Sequence, residues 1–364
     1  MIVGILGGGQ LARMLALAGH PLGVRCIALD PSPDACAGAV AERLTGGYED
    51  PELLDALARR ADVVTYEFEN VSSESVERIA SRVAVFPSAH ALATSADRLR
   101  EKTLFSDLGI PTPRYCAVDS LADLDAAVEA LGLPAVLKTR REGYDGKGQV
   151  VIASRADVPR AFESLPARPK ILEEFVRFDR EVSALAVRGR SGETAFYPVT
   201  ENVHRGGILR LSMPRPEDRA TEAACDYAGR LLAAFGYVGV LALELFVVGD
   251  RVLANEFAPR VHNSGHWTID GGSTSQFENH LRAILGLPLG ETRVVGHVAM
   301  LNFVGAVPEA GDVLAHPGAH LHLYDKAPRP GRKVGHVTLR ADSDATLRDA
   351  VAALSRLPGV DLAH

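Results

Sequence analysis

The chain has 364 residues, enough for two or three domains of ordinary size. It carries 39 Lys and Arg against 46 Asp and Glu, and the formal charge of −7 argues against a protein that wraps nucleic acid or coats an anionic membrane. Apolar residues make up 47% and charged residues 23%, an ordinary balance for a globular protein that excludes wholesale disorder.

The cysteines and the apolar runs bear on the compartment. The four cysteines show no paired spacing, and a chain of this length buries a core without disulfides. Free thiols in a reducing cytoplasm are therefore expected. No apolar run approaches the roughly 20 residues that cross a bilayer. The apolar start of the chain has no preceding basic residue, so it predicts a first strand and not an export signal.

The first part of the chain alternates strands with helices, which predicts an open, largely parallel sheet. The predicted strands are 1–6, 25–29, 62–66 and 83–86, and the predicted helices are 10–18, 53–60 and 73–80.

A glycine loop follows the first strand. Gly7, Gly9 and Ala12 have the spacing of a dinucleotide-binding fingerprint, and Asp30 stands at the end of the second strand. Free N–H groups at a helix start attract an anion. Three interpretations stay open at this point: a nicotinamide dinucleotide site, a site for another phosphate or carboxylate, and a turn needed only for close packing.

Two acidic residues follow the third predicted strand. Glu67 and Glu69 share one face at its carboxyl end, where open parallel sheets bind ligands. They are available to an amine or to ribose hydroxyls, and a solvated strand end is the equal alternative.

From residue 114 to 257 the pattern changes. A predicted helix, 97–108, and a stiff turn, 109–113, lead into short strands that are mostly separated by turns and not by full helices. That pattern predicts an α+β region with much antiparallel pairing. The predicted strands are 135–138, 149–152, 170–174, 182–187, 241–248 and 251–257. A further small mixed module begins at about residue 293.

The central region contains a candidate nucleotide site without a P-loop motif. Lys138 ends a strand, and a glycine-rich loop from Gly143 to Gln149 leads into the next one. Such a loop can close over phosphates and exclude water, and an ordinary turn is the alternative. The segment 171–176 suits a strand beside a purine slot, and Glu181 lies within reach of ribose hydroxyls.

Glu244 and Glu256 carry the sharpest local prediction. A hairpin turn at 248–251 folds the chain so that the two glutamates face each other on one side of a strand pair, subject to the register of the turn. Both strands are otherwise apolar, so a divalent cation such as Mg²⁺ between the carboxylates would relieve their repulsion. A pair of solvated acids is the alternative.

A polar segment follows the second glutamate. Residues 258–267 place Arg260, His262, Asn263 and Ser264 beside the proposed metal and phosphate site, next to His266 and the only tryptophan. This concentration of hydrogen-bonding groups predicts a pocket for the acceptor substrate.

Several motifs together resemble the ATP-grasp superfamily and, within it, the 5-(carboxyamino)imidazole ribonucleotide synthetase family of purine biosynthesis. The resemblance covers essentially the whole chain. The discriminating blocks are Asn-Ser-Gly-His-Trp at 263–267 and Pro-Gly-Arg-Lys-Val-Gly-His at 330–336. The supporting motifs are Gly-Gly-Gly-Gln-Leu at 7–11, Asp97-Arg98 with Lys102, the loop 143–149, Asn255-Glu256 and Tyr-Asp-Lys at 324–326.

The resemblance implies an α/β and α+β architecture. It consists of a pre-ATP-grasp domain with an open parallel sheet (1–96), an ATP-grasp core (97–292) and a small C-terminal module (293–364). The implied enzyme is a ligase that couples ATP and bicarbonate to the carboxylation of aminoimidazole ribonucleotide, as a cytoplasmic homodimer that binds neither nucleic acid nor membrane.

The resemblance also implies roles for individual residues. Those expected around ATP are Arg98, Lys138, Gly143, Tyr144, Asp145, Gly146, Lys147, Gly148, Gln149, Glu173, Glu174, Phe175, Val176, Glu181, His204, Asn255 and Glu256. Those expected to contact the ribonucleotide or bicarbonate are Gln10, one of Glu67 and Glu69, Tyr144, Asp145, Lys147, Arg260, His262, Asn263, Ser264, Lys333 and Arg340. Mg²⁺ is assigned to Glu244 and Glu256, and catalysis to Arg260, His262, Asn263 and Lys138.

One departure from the superfamily and three rival functions remain. Many ATP-grasp enzymes place an asparagine two residues after the second metal-binding glutamate, where this chain has Ala258, so Asn263 or a water would have to replace that amide. The departure weakens interpretations as a biotin carboxylase or a D-alanine ligase.

The rival functions for the whole chain are a formate-dependent glycinamide ribonucleotide transformylase, an NAD(P)-linked oxidoreductase and a nucleotide-binding regulatory module without catalysis.

Overall fold

The structure, a computed structural model, describes residues 1–143 and 148–362. Within these residues the strands form three sheets, one parallel and two antiparallel. No described helix is both long and apolar enough to cross a bilayer.

The first sheet is parallel, which confirms the prediction from the alternating pattern. Its strands are β1 (Ile2–Leu6), β2 (Arg25–Asp30), β3 (Glu42–Thr45) and β4 (Val63–Tyr66), in the order β3-β2-β1-β4. The accompanying helices are α1 (Gln10–Gly19), α2 (Pro51–Arg60), α3 (Ser73–Ala80) and α4 (Ala89–Ser95).

Two details of this sheet differ from the prediction. Strand β3 carries no apolar pattern because its residues lie mostly exposed at the sheet edge, and the sequence therefore gave no signal for it. The predicted strand 83–86 runs beside β4 but forms only one bridge, between Val64 and Val85. Pro87, which has no N–H group, follows immediately and ends the pairing.

A helix and a small antiparallel sheet form the next part. Helix α5 (Arg98–Asp107) leads into strands β5 (Tyr115–Val118), β6 (Ala135–Thr139), β7 (Gln149–Ile152) and β8 (Lys170–Glu174), in the order β5-β8-β6-β7. Two helices, α6 (Leu121–Leu131) and α7 (Val158–Ser164), connect these strands. The prediction that turns and not helices separate them was wrong here, although the Ser120 and Asp123 capping box of α6 was visible in the sequence.

The third and largest sheet carries most of the core. Its strands are β9 (Arg180–Arg188), β10 (Thr194–Phe196), β11 (Thr200–Arg205), β12 (Ile208–Pro214), β13 (Gly239–Val248), β14 (Arg251–Ala258), β15 (His297–Val304), β16 (Ala319–Leu323) and β17 (Lys333–Ala341). The order is β14-β13-β9-β11-β12-β15-β17-β16, with β10 paired to β9. The helices in this region are α8 (Thr221–Ala234), α9 (Thr268–Gly271), α10 (Gln276–Leu285), α11 (Ala310–Leu314) and α12 (Asp344–Leu354).

The C-terminal strands continue this sheet. Strand β15 pairs with β12 through Leu211 with Leu301 and Ser212 with Met300. Because β17 lies next to β15, the sheet carries Lys333 to the same cleft as the glutamates of β13 and β14. The fold therefore joins distant parts of the chain around one site.

Candidate active site

A cleft of about 730 Å³ lies between the three sheets. Its lining comes from the parts of the chain that carry all three sheets and includes acidic, basic and aromatic side chains. The predicted site residues among its lining are Gln10, Glu67, Glu69, Arg98, Lys138, Gly143, Gln149, Glu173, Glu174, Phe175, Val176, Glu181, His204, Glu244, Asn255, Glu256, Arg260, His262, Asn263 and Lys333.

The hairpin of β13 and β14 places two carboxylates opposite each other. Its turn has two residues, because Val248 pairs with Arg251. That register alone would put Glu244 opposite Asn255, but a bulge at Asn255 shifts the pairing by one residue. Glu244 therefore pairs with Glu256, as the sequence predicted.

The acid pair is electrostatically unfavourable by itself. Burial and the facing carboxylate of Glu256 raise the pKa of Glu244 to about 7. Two hard carboxylate groups that repel each other in a polar cleft fit a divalent cation such as Mg²⁺. Because no group of three or more His, Cys, Asp or Glu side chains within 1–143 and 148–362 could hold a metal, its other ligands would be phosphate oxygens or water.

The amide considered as a replacement for the superfamily asparagine is engaged elsewhere. Asn263 donates to Asn302 at 3.1 Å, and its side-chain oxygen accepts from Asn302 at 2.7 Å. The position two residues after Glu256 is the buried Ala258. The structure thus gives the acid pair no neighbouring amide from either position.

Basic side chains stand beside the acid pair. Lys138 Nζ lies 3.0 Å from Glu173, whose pKa is held at about 2 because two lysines outweigh the effect of burial. Arg98, the first residue of α5, donates to the carbonyls of Thr139 and Gly143 at 3.3 and 3.2 Å. It also lies 3.9 Å from Glu256. Arg98 therefore joins the glycine loop to the acid pair.

The glycine loop itself is described only at its two ends. Gly143 and Gln149 line the cleft, and Gly148 adopts a φ of +72°, which favours glycine. The predictions for Tyr144, Asp145, Gly146 and Lys147 lie outside the described residues.

Another region of the cleft combines an ion pair with aromatic rings. His204 Nδ1 lies 2.7 Å from Glu181; burial opposes its charged form, but the contacts with Glu181 and the charge of Glu244 raise the pKa of His204 overall. Phe178 and Phe246 stack with centroids 4.7 Å apart and also line the cleft. This aromatic pair was not predicted from the sequence, because its two residues come from separate segments that only the tertiary fold brings together.

Arg260 and His262 face the acid pair from the segment after β14. Arg260 is held by Glu69 at 2.8 Å, and both Glu67 and Glu69 line the cleft. His262 Nε2 lies 3.5 Å from Glu244. Burial and the charge of Arg260 push the pKa of His262 well below its usual range, so its imidazole is neutral.

The tautomer of His262 follows from its other nitrogen. The backbone N–H of Ser264 donates to His262 Nδ1 at 3.3 Å, and the Ser264 hydroxyl lies 2.9 Å from the same nitrogen. Because Nδ1 accepts, the proton of the neutral ring sits on Nε2, which faces Glu244.

Some predicted site residues are not brought to the cleft. Ser264 is fully buried beneath His262 and also binds Ser183 at 2.8 Å. His266 and Trp267 are fully buried as well, with Trp267 Nε1 donating to Thr200. Arg340 is exposed, about 23 Å along β17 from Lys333, because a strand rises about 3.3 Å per residue.

The N-terminal glycine loop binds the protein's own carboxylates. Glu67 accepts the backbone N–H groups of Gly9, Leu11 and Ala12 at 2.6, 3.1 and 3.1 Å. A Cβ at Gly7 or Gly9 would lie 2.3 or 2.4 Å from a Glu67 atom, which explains the two glycines. Asp30 in turn accepts from the backbone of Gly8 at 2.8 Å. The donors that would receive a dinucleotide phosphate are therefore already occupied.

A lysine from the C-terminal region reaches the same end of the cleft. Lys326 donates to the side chain of Gln10, and burial lowers its pKa despite the nearby Glu67. From the sequence, Tyr-Asp-Lys at 324–326 was only a family motif, because a contact between residues 316 positions apart leaves no local pattern.

Family models divide the chain into three matched segments. The ribonucleotide synthetase preATP-grasp domain matches residues 1–96, the ATP-grasp domain matches 103–277, and the phosphoribosylaminoimidazole carboxylase C-terminal domain matches 298–350.

Two relatives that match over almost their full length carry the same name. The N5-carboxyaminoimidazole ribonucleotide synthase of Pseudomonas aeruginosa is 55% identical over 357 residues, which cover 98% of this chain and 99% of the relative. That of Brucella melitensis is 47% identical over 92% of this chain and 95% of its own length. This chain belongs to the N5-carboxyaminoimidazole ribonucleotide synthase family.

Solved structures of the family have the same fold. The synthetase from Thermus thermophilus superposes with a TM-score of 0.95 at 54% identity over 100% of both chains. The Aspergillus clavatus synthase, solved in complex with ADP and 5-aminoimidazole ribonucleotide, gives a TM-score of 0.90 at 33% identity over 98% of both chains. The resemblance inferred from the motifs is thereby confirmed, and the chain is an ATP-grasp ligase by family.

Membership in this family settles the meaning of the N-terminal fingerprint. The Gly7, Gly9 and Ala12 loop belongs to a preATP-grasp domain, which agrees with its occupation by Glu67. The rival oxidoreductase interpretation rested on that loop and on Asp30, and in the described structure the loop's N–H groups bind Glu67 and Asp30.

Proposed function

We propose that this chain catalyses the ATP- and bicarbonate-dependent carboxylation of the exocyclic amine of 5-aminoimidazole ribonucleotide. The products are N5-carboxyaminoimidazole ribonucleotide, ADP and phosphate. The observation that carries the proposal is the meeting, in one cleft, of the acid pair Glu244 and Glu256 with Arg98, Lys138 and Arg260. In this set the acid pair suits a metal ion, Arg98 and Lys138 suit the triphosphate of ATP, and Arg260 suits the anionic bicarbonate.

ATP would occupy the side of the cleft formed by β6, β8 and the glycine loop. The cationic Lys138 and Arg98 suit its phosphates, and the start of the loop can cover them. The segment Glu174 to Val176 lines the slot for the base, and Glu181 with His204 suits ribose hydroxyls. The Glu173 side chain does not bind the base in this proposal, because it is buried and pairs with Lys102 and Lys138.

Glu244 and Glu256 would hold Mg²⁺, which neutralises charge on the transferring phosphoryl group when it is bound. Their mutual repulsion in its absence supports this assignment.

Bicarbonate and the amine would meet at Arg260, His262 and Asn263. The Arg260 guanidinium, fixed by Glu69, suits charge that develops on the phosphoryl and carboxyl oxygens. Neutral His262 presents Nε2–H and therefore donates a hydrogen bond; it does not accept a proton. The ribonucleotide phosphate would lie toward Gln10, Lys326 and Lys333. By family resemblance, Tyr144, Asp145 and Lys147 of the loop would contact the ribonucleotide.

The chemistry proceeds in two group transfers. A bicarbonate oxygen attacks the γ-phosphorus, the bond to the bridging oxygen breaks, and ADP leaves with its electron pair. The amine nitrogen then forms the new C–N bond, either with carboxyphosphate or with CO₂ released from it, and phosphate departs with one bicarbonate oxygen. One proton of the amine passes to the departing phosphate, and the proton of bicarbonate is released to the solvent. Since carboxyphosphate hydrolyses rapidly in water, a shielded cleft is a functional requirement.

We further propose a cytoplasmic homodimer, as the family resemblance implies. The free state of all four cysteines among the described residues supports a reducing compartment.

The proposal is tested by ADP release from Mg-ATP in bicarbonate buffer, measured with and without 5-aminoimidazole ribonucleotide. We expect the ribonucleotide to stimulate ADP release, and Glu256→Ala to lower the stimulated rate by about 10²-fold or more, because it removes half of the metal site. Glu291→Ala, at an exposed acid, serves as the control and should match the unmodified protein. ADP release that the ribonucleotide does not stimulate would contradict the proposal.

A further inference from the structure

The acid pair depends on a backbone irregularity. The pairing of β13 with β14 changes register between Glu244 and Leu245, so that Asn255 is the extra residue of a bulge. If the two strands paired regularly, without the bulge, the two-residue turn would place Asn255 opposite Glu244 and turn Glu256 to the other face of the sheet. Whatever stabilises the bulge therefore determines whether the two carboxylates face each other.

Helix α5 touches the bulge with a buried lysine. Lys102 is 1% exposed, and its Nζ donates to the carbonyl oxygens of Asn255 at 2.6 Å and Ala254 at 3.3 Å. It also donates to the hydroxyl of Thr112 at 3.0 Å, and that hydroxyl donates to the Ala254 carbonyl at 2.8 Å. The carbonyls of the bulge are thus satisfied by side chains outside the ladder.

The same helix also contacts the two residues that follow the bulge. Glu101 accepts the backbone N–H of Phe257 at 2.6 Å, and Phe105 packs edge-on against the Phe257 ring with centroids 6.2 Å apart. Arg98, one turn earlier, lies 3.9 Å from the Glu256 carboxylate. Residues spaced three and four apart on α5 therefore contact β14 from residue 254 to residue 257.

The lysine also connects the bulge to the phosphate side of the cleft. Lys102 Nζ lies 3.6 Å from the Glu173 carboxylate, which Lys138 also contacts at 3.0 Å. Since Lys102 is buried and absent from the cleft lining, it reaches the ligands only through Glu173 and the strand.

We propose that Lys102 is a positioning residue for the metal site: by holding the carbonyl groups of Ala254 and Asn255 it maintains the bulge that sets Glu256 opposite Glu244. The inference rests on the proposed function for its choice of Mg²⁺ and adenine nucleotide as ligands. It adds a role for a residue that touches neither of them.

The test compares ADP affinity in Mg²⁺ with ADP affinity in EDTA, by titration calorimetry on the full chain. The ratio of the two dissociation constants measures the coupling between metal and nucleotide at the acid pair. We expect Lys102→Met to reduce this ratio at least tenfold while the affinity in EDTA changes by less than threefold. General loss of stability would not separate the two affinities in this way.

Two further variants complete the design. Lys170→Met removes another buried lysine that donates to a backbone carbonyl, that of Arg168 at 3.0 Å, and it should leave the ratio unchanged. Thr112→Val removes the hydroxyl that bonds Lys102 and the Ala254 carbonyl, without changing charge, and should reduce the ratio at least threefold. This variant replaces Lys102→Met in the test if Lys102→Met does not fold.

The outcomes separate this inference from the proposed function. An unchanged ratio in Lys102→Met would overturn the inference; where that variant does not fold, an unchanged ratio in Thr112→Val would do so. Equal losses of ADP affinity in Mg²⁺ and in EDTA would also overturn it, because they would mean that Lys102 acts by charge alone. A wild-type protein without metal coupling would overturn it as well. A third outcome separates the two proposals. If the unmodified protein shows coupling between metal and ADP, the variants reduce it, and the ribonucleotide does not stimulate ADP release, the inference is supported and the proposed function is contradicted.

Discussion

At the scale of single residues, the two facing carboxylates that suit a metal ion lower the stability of the folded protein when no cation is bound. Glu244 is largely buried and faces a second carboxylate, an arrangement that a protein selected for stability alone would avoid. The nearest partners of the pair are His262, 3.5 Å from Glu244 and neutral, and Arg98, 3.9 Å from Glu256. The free protein therefore carries the cost of the acid pair until its ligands bind.

This cost should appear in the pH dependence of stability. The pKa of Glu244 is raised from 4.5 to about 7 in the folded protein, so unfolding releases a proton between these values. The free energy of unfolding contributed by this group therefore falls as pH rises from 4.5 to 7, by about 3 kcal/mol. In EDTA at pH 8 we expect Glu244→Gln to be more stable than the unmodified protein, and at pH 5 nearly equal to it. Thermal denaturation at both pH values measures the difference.

The exposed Glu222 provides the matched control, because Glu222→Gln removes an acid that lies outside the cleft and should shift neither melting temperature appreciably. Equal stability of Glu244→Gln and the unmodified protein at pH 8 would show that the acid pair carries no such cost.

At the scale of single elements, local sequence patterns predicted the hairpin and the glycine loop, but not the long-range contacts that set their exact geometry. The hairpin was predictable because Gly249 and Asp250 separate two apolar runs, and it brought Glu244 and Glu256 together as expected. The bulge at Asn255 was not predictable, because its carbonyls are held by Lys102, 153 residues away. Likewise, the glycine loop after β1 was visible in the sequence, but its acceptor, Glu67, lies 58 residues along the chain.

The loop gives a prediction of its own. Glu67 satisfies three backbone N–H groups at the start of α1, so Glu67→Ala leaves them without an acceptor in a buried environment. We expect the free energy of unfolding to fall by about 2 kcal/mol, as for the loss of a buried helix cap. Urea denaturation measures the change. Glu77→Ala, at an exposed position of α3, should alter it little, and an equal effect of both variants would refute the assigned role of Glu67.

At the scale of the whole molecule, the site exists only because three sheets meet. Strands β13 and β14 supply the acid pair, β6 supplies Lys138, and β17 continues the same sheet as β13 to bring Lys333. The alternating pattern predicted the parallel sheet, and the family resemblance implied the ATP-grasp fold and many residues of the cleft lining. Neither the pattern nor the resemblance predicted that Ser264 is buried or that Arg340 is exposed outside the cleft lining, because both depend on how distant parts of the chain pack.

The central claim is that one cleft activates bicarbonate with ATP and passes the carboxyl group to the amine of the ribonucleotide. Bicarbonate labelled with ¹³C and ¹⁸O follows both transfers at once, by NMR of the carboxyamino product and mass spectrometry of the phosphate. We predict that ¹³C appears on the exocyclic nitrogen in step with ADP, and that each phosphate gains one ¹⁸O. ADP formed without ¹³C on the amine, or phosphate without ¹⁸O, would contradict the account.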